Sequence, residues 1–132
     1  MLRIGQNAAF GKTITEADVS IFAGLSGDFN PIHINAEEAE QSIFGKRIAH
    51  GMLSASFISA VLGMYLPGKG AIYLSQNLQF MEPVYIGDTI TAKVTVVEIL
   101  NEEKGIYKLK TLCVNQNNQP VIDGEAVVKY KN

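Results

Sequence analysis

An α+β fold, in which an antiparallel sheet lies across one long apolar helix, is what the sequence predicts, and three observations lead to it. The hydrophobic period changes once, near Gly70, with helical signals before it and period-two alternation after it. The helical part contains a segment, Gly51 to Tyr65, that is apolar on nearly every side and so must be covered all round. The later part is cut into strands by short connections rich in turn formers, as antiparallel hairpins require. At 132 residues, 47% hydrophobic and 18% charged, the chain reads as a single domain spanning residues 1–132, with no repeat, linker or low-complexity segment.

Taken in order, Thr15 followed by Asp18 forms a capping box ahead of Val19, Ile21, Phe22 and Leu25, an amphipathic helix that runs out at Ser26 and Gly27. Asn35 offers a second cap for Ala36 to Ser42, a surface helix whose Glu37, Glu38 and Glu40 suit the positive end of the helix dipole. The apolar helix then carries Leu53, Phe57, Ala60, Val61, Leu62 and Met64, and Leu66-Pro67-Gly68 stops it. Leu74, Leu78 and Phe80 mark an earlier strand. Asp88 to Leu100 is the clearest one, with Ile90, Ala92, Val94 and Val96 alternating with Thr91, Lys93 and Thr95. Tyr107, Leu109, Thr111 and Cys113 face away from Lys108 and Lys110 in the next, and Val121 to Tyr130 is the last.

Composition narrows the function. A net charge of −2 without any arginine-lysine block lacks the footprint of a phosphate backbone, so no nucleic-acid partner is expected. The longest greasy stretch, Met52 to Leu66, is interrupted by Ser54, Ser56, Ser59 and Gly63, and Met1 to Gly11 lacks a signal-peptide pattern. A soluble cytoplasmic protein with no membrane partner is the expectation. Cys113, the sole cysteine, sits in an alternating apolar run and reads as a buried, inert thiol.

Two clusters stand out. Gly27 to His33 is the densest polar stretch, and it joins an acid, Asp28, to a histidine, His33, five residues on. Pro31 restricts its own backbone and that of Asn30, and a tight turn there would bring the two side chains together. The same residues also fit a plain Asx turn at Asp28 with a partly buried loop histidine at His33. The second cluster, Ala49-His50-Gly51-Met52, stands where the apolar helix begins. Its free N–H groups and the bare Gly51 suit a ligand oxygen, and they equally suit an ordinary helix start with His50 as a polar cap. Ser54, Ser56 and Ser59 can each satisfy themselves on the preceding turn. Ser59 lies about two turns from Gly51.

These segments, with Leu66-Pro67-Gly68-Lys69-Gly70, Phe80 to Asp88 and Gly124-Glu125-Ala126, resemble the MaoC-like (R)-specific enoyl-CoA hydratases over roughly Gly11 to Lys129. The specific elements are Asp-x-Asn-Pro-x-His followed by His-Gly-Met. The resemblance implies a hot-dog fold, an antiparallel sheet wrapped around one long central helix, and a homodimer that binds acyl-CoA. It places the catalytic dyad on Asp28 and His33, the thioester-oxygen donor on the backbone N–H of Gly51, an orienting asparagine at Asn30 and a serine near the dyad at Ser59. Leu62, one turn beyond Ser59, is a candidate tunnel floor.

The implied chemistry is reversible syn hydration of a trans-2-enoyl-CoA of short to medium chain, serving fatty-acid breakdown or polyhydroxyalkanoate precursor supply. Negative charge forming on the thioester oxygen is met by the helix-start N–H, while Asp28 and His33 together handle one water, with Asp28 assigned as base and His33 as proton supplier in a division that sequence does not decide. Neither a metal nor another cofactor is expected, since two histidines without a thiol set make a poor metal site. Lys46, Arg47 and Lys69 border the motifs and are candidates for the CoA phosphates. Rival readings are a 3-hydroxyacyl-[acyl carrier protein] dehydratase, a hot-dog thioesterase, or a non-catalytic acyl-CoA-binding dimer.

Overall fold

Strict alternation makes the centre of the sheet. Ile90, Ala92, Val94 and Val96 on one strand and Tyr107, Leu109, Thr111 and Cys113 on the next are all buried, and their polar neighbours face outward. In the computed structural model, which describes residues 1–131, the elements run β1 (Asn7–Thr13), α1 (Glu16–Ser26), α2 (Pro31–Ile34), α3 (Ala36–Glu40), α4 (Gly51–Met64), β2 (Ile72–Phe80), β3 (Thr89–Asn101), β4 (Ile106–Val114) and β5 (Pro120–Lys129). Asn132, the last residue of the expected domain, lies outside the described residues. The five strands form one antiparallel sheet in the order β1-β3-β4-β5-β2.

Helix α4 lies across that sheet. Leu53, Phe57, Ile58, Val61 and Leu62 join the apolar side chains of β3, β4 and β5 in one core. Full burial of a side chain such as Ile58 contributes about 1.5–3 kcal/mol, so several such residues make this contact a large part of the stability of the fold. Cys113 is in the same core, and burial pushes its thiol up to about 12. The thiol is therefore protonated and inert at neutral pH.

Three expectations need correction. Strand β1 lies where only helical signals had been expected, and it pairs with β3 from Asn7↔Thr95 to Thr13↔Thr89. Its sequence offers little apolar alternation because it is an edge strand; Phe10 anchors it by an edge-to-face contact with Phe57 at 5.6 Å. Helix α4 is not covered all round: Met52, Ser56, Ser59 and Gly63, a stripe at helical spacing, are exposed. Finally, β2 sends Leu74 and Phe80 out of the core, each about half exposed, because it forms the other edge and is bulged between Tyr73 and Ser75.

Helix α1 sets up the loop that follows it. The Thr15–Asp18 capping box is formed, and the Lys12 ammonium beside Asp18, with the Thr15 amide, holds that carboxyl below the usual carboxylate range. Val19 and Ala23 are buried, whereas Ile21 and Leu25, on the other side of the helix, are exposed. Gly27 then ends the helix at φ 83°, a left-handed conformation that glycine adopts without strain. No helix among the described residues is long and apolar enough to cross a membrane.

Candidate active site

The loop after α1 is built from two nested side-chain turns. Asp28 Oδ1 accepts the Asn30 amide, and Asn30 Oδ1 accepts the Ile32 amide as N-cap of α2, with Pro31 at the first helical position. Sequence reading had not separated α2, because a four-residue helix has no period to detect. Both readings of the loop therefore hold together: Asp28 makes the Asx turn with one carboxylate oxygen, and α2 swings His33 back toward it. Ligand atoms of Asp28, His33 and His50 all lie within 4.8 Å of one another, Asp28 exposed and both histidines buried.

The histidines are fixed in orientation. His33 Nδ1 donates to the Ile48 carbonyl at 2.8 Å, and His50 Nε2 donates to the Asp28 carbonyl at 2.9 Å. A carbonyl can only accept, so each of those nitrogens carries a hydrogen, and on His33 it is Nε2 that remains for chemistry. The two rings stack at 3.8 Å with an interplanar angle of 26°. Imidazole lone pairs lie in the ring plane, so two rings stacked face to face do not converge on a single ion.

Gly51 opens α4 immediately after His50. His50 gives no side-chain cap to the helix, contrary to its reading as a polar cap, because its ring is turned toward the Asp28 loop. The positive end of a 14-residue helix thus faces the site at Gly51. Glycine suits the close approach there: a Cβ would stand 2.6 Å from Cε1 of Phe80, and that half-exposed ring would have to shift.

Two cavities flank this start. One, of about 500 Å³, is lined by Gly51, Ser54, Phe80 and Val84; the other, of about 530 Å³, runs along the open stripe of α4 between Phe22, Ser56, Ser59 and Leu78. Met52 lines both. Ser59 thus lies in the second cavity and Gly51 in the first, and no hydrogen bond joins Ser59 to Asp28 or His33 among the described residues. Leu62 lines neither cavity. Three residues past Ser59 it has turned toward the sheet, where it is buried in the core.

Asn30 caps α2, and neither it nor Asp28 nor His33 is among the residues that line the two cavities. Among the cations, Arg47 is already engaged, with Nε on the His33 carbonyl at 2.7 Å and Nη1 on Glu16 at 2.6 Å. Lys46 sits over the Tyr85 ring at 4.7 Å, and both it and Lys69 are exposed. His50 is the contributor that sequence reading undervalued. Its signal, a histidine directly before a helix-opening glycine, was present but did not reveal the loop that it meets.

A family description, MaoC like domain, matches residues 3–118. The chain is 53% identical over 127 residues to an (R)-specific enoyl-CoA hydratase of Rhodospirillum rubrum, covering 96% of this chain and 87% of that protein. It is 47% identical to an (R)-specific enoyl-CoA hydratase of Aeromonas caviae, covering 97% and 95% of the two chains. The solved structure of an (R)-hydratase from A. caviae involved in PHA biosynthesis superposes with a TM-score of 0.94 at 46% identity, covering 98% of each chain.

The Arg47 geometry predicts that Arg47→Ala lowers stability by about 1–3 kcal/mol, since the His33 carbonyl loses a charge-assisted donor. Urea unfolding checks this; an unchanged midpoint would show the brace to be dispensable.

Proposed function

Because this chain belongs to the MaoC-like domain family and closes an aspartate-histidine pair against the start of its buried helix, we propose that it is an (R)-specific enoyl-CoA hydratase. It adds water reversibly across the double bond of a trans-2-enoyl-CoA to give the (R)-3-hydroxyacyl-CoA. The observation that carries this reading is the approach of Asp28 and His33 to within 4.8 Å, from one loop, beside the N-terminus of α4. Two hydrogen bonds of about 2.8 Å meeting at one water oxygen span roughly 4.6 Å, so a single water fits between the two groups.

Each group then has a defined task. Asp28 Oδ1 is held by the Asn30 amide, which leaves Oδ2 to receive a proton from the water as its oxygen attacks carbon 3. His33, held through Nδ1, presents Nε2; a ring protonated at both nitrogens steadies the water oxygen through Nε2–H and delivers that proton to carbon 2 from the same side, which makes the addition syn, and the proton taken by Asp28 then passes back to His33. The electron pair displaced from the double bond collects on the thioester oxygen, where the Gly51 N–H and the helix dipole stabilise it without reorganisation. No step calls for a metal or a redox group. The acyl chain takes the cavity beside Ser59, and Lys46 and Lys69 remain as partners for the CoA phosphates, Arg47 being engaged. The enzyme works in the cytoplasm.

A homodimer completes the picture. Strand β2 is a free edge whose Ile72, Tyr73 and Leu74 are each about half exposed, and the open stripe of α4 lies beside it. A second copy covering this edge removes both liabilities at once.

Purified protein should remove the ultraviolet absorbance of crotonyl-CoA without releasing thiol, and an (R)-specific dehydrogenase should oxidise the product. Thiol release would instead indicate a thioesterase, predominantly (S) product would remove the assignment, and faster turnover of the enoyl group on acyl carrier protein would reassign the carrier. Asp28→Asn and His33→Gln should each lower kcat by on the order of a hundredfold or more with little change in thermal midpoint. The double variant should be scarcely slower than the worse single one, because the two groups act as a unit. Sedimentation of the active protein should give a dimer; a stable, active monomer contradicts the β2 interface.

A further inference from the structure

Resting on the hydratase reading, we propose that His50 is the positioning residue that holds Asp28 and His33 in register with each other and with Gly51. His50 is 2% exposed, between the ring of Phe22 at 4.9 Å and that of His33 at 3.8 Å. Its Nε2–H is spent on the Asp28 backbone carbonyl at 2.9 Å, while Nδ1 is buried without a hydrogen-bond partner among the described residues. A side chain present only to fill this space would be apolar, since a phenylalanine packs against the same rings and leaves no buried nitrogen unpaired. The penalty of the orphan nitrogen is offset by what the other nitrogen does.

What it does is local and specific. Asp28 lies on an exposed loop, and the only restraints its own neighbourhood supplies are turns within that loop. The His50 bond ties the Asp28 backbone to the segment that opens α4. The His50 ring face meanwhile sets the plane of His33, whose Nδ1 is held from the edge by Ile48. Since Gly51 is the next residue, one ring fixes the base, its partner and the N–H donor relative to one another. With Nε2 engaged on a carbonyl and the ring 2% exposed, His50 acts through these groups, and a misplacement on the order of 1 Å at such a site is worth roughly a hundredfold in rate.

Two substitutions separate the hydrogen bond from the packing. His50→Phe keeps a ring between Phe22 and His33 and deletes the donor; His50→Gln keeps an N–H near the position of Nε2 and deletes the ring. With crotonyl-CoA as substrate, His50→Phe should lower kcat roughly a hundredfold while KM stays within about twofold. His50→Gln should recover kcat to within about tenfold of the unaltered enzyme. Normal kcat in folded His50→Phe overturns the proposal whatever its melting temperature, and so does a glutamine variant no faster than the phenylalanine one. Should His50→Phe fail to fold, long-range proton-nitrogen spectra of the unaltered protein decide: a neutral His50 with its hydrogen on Nε2 is expected, and a hydrogen on Nδ1 overturns the proposal. If the unaltered protein turns over no enoyl thioester, the hydratase reading fails, and the same spectrum still tests the tie to Asp28.

Discussion

The site depends on one pairing of irregular backbone, the segment from Arg47 to His50 laid along the loop from Asp28 to His33. Four hydrogen bonds join them: Arg47 Nε to the His33 carbonyl, the Ile48 amide to the Ile32 carbonyl, His33 Nδ1 to the Ile48 carbonyl, and His50 Nε2 to the Asp28 carbonyl. Neither segment is long enough to be stable as an element by itself. Each satisfies the polar groups of the other, which a half-buried loop must do somewhere. The later segment is in turn tied to the protein by the Ala49 amide on the Val84 carbonyl, by the Ile48–Tyr85 bridge, and by Arg47 reaching Glu16 on α1. An exposed carboxylate is thereby held near two buried rings by four bonds, each of which ends on a main-chain carbonyl.

Helix α4 serves two purposes that conflict. Its sheet-facing side supplies the core through Leu53, Phe57, Ile58, Val61 and Leu62, and this side makes the helix rigid. The other side carries small or flexible residues, Met52, Ser56, Ser59 and Gly63, and leaves a cavity rather than a contact. An open stripe on a central helix gives up stabilisation, and the alternating cores of β3 and β4 compensate. The helix start is constrained differently: the Phe80 ring lies so close over Gly51 that any side chain there would displace it, and the bare glycine leaves the first amide of α4 open to the cavity.

Legibility in the sequence followed the strength of each local signal. The four alternating residues of β3 and the four of β4 were each placed on the correct face, because in a half-buried strand the period is the structure. The Thr15 cap and the limits of α4 were likewise readable, since capping chemistry and Leu66-Pro67-Gly68 act within a few residues. Strand β1 was missed because an edge strand needs little apolar content, and its existence depends on β3, more than seventy residues away. Strand β2 was legible from Leu74, Leu78 and Phe80, but that these side chains line cavities follows from its place at the sheet edge beside β5.

In the site itself, the sequence determined the chemical inventory: an acid and a histidine around a proline turn, a capping asparagine, and a bare glycine where an apolar helix begins. It also settled the class of fold, since period and turn chemistry are local properties. It left open whether Asp28 makes the Asx turn of its loop, whether His50 caps a helix or grips a loop, and whether Ser59 and Leu62 line open space. Tertiary structure decided each of these. The deciding contacts, His50 on Asp28, Ile48 on His33 and Phe80 on Gly51, join residues fifteen to about thirty positions apart. Hydrogen bonds and excluded volume between such distant positions leave no periodic trace along the chain; they exist only once α4 has been buried against the sheet and has carried its first turn to the loop.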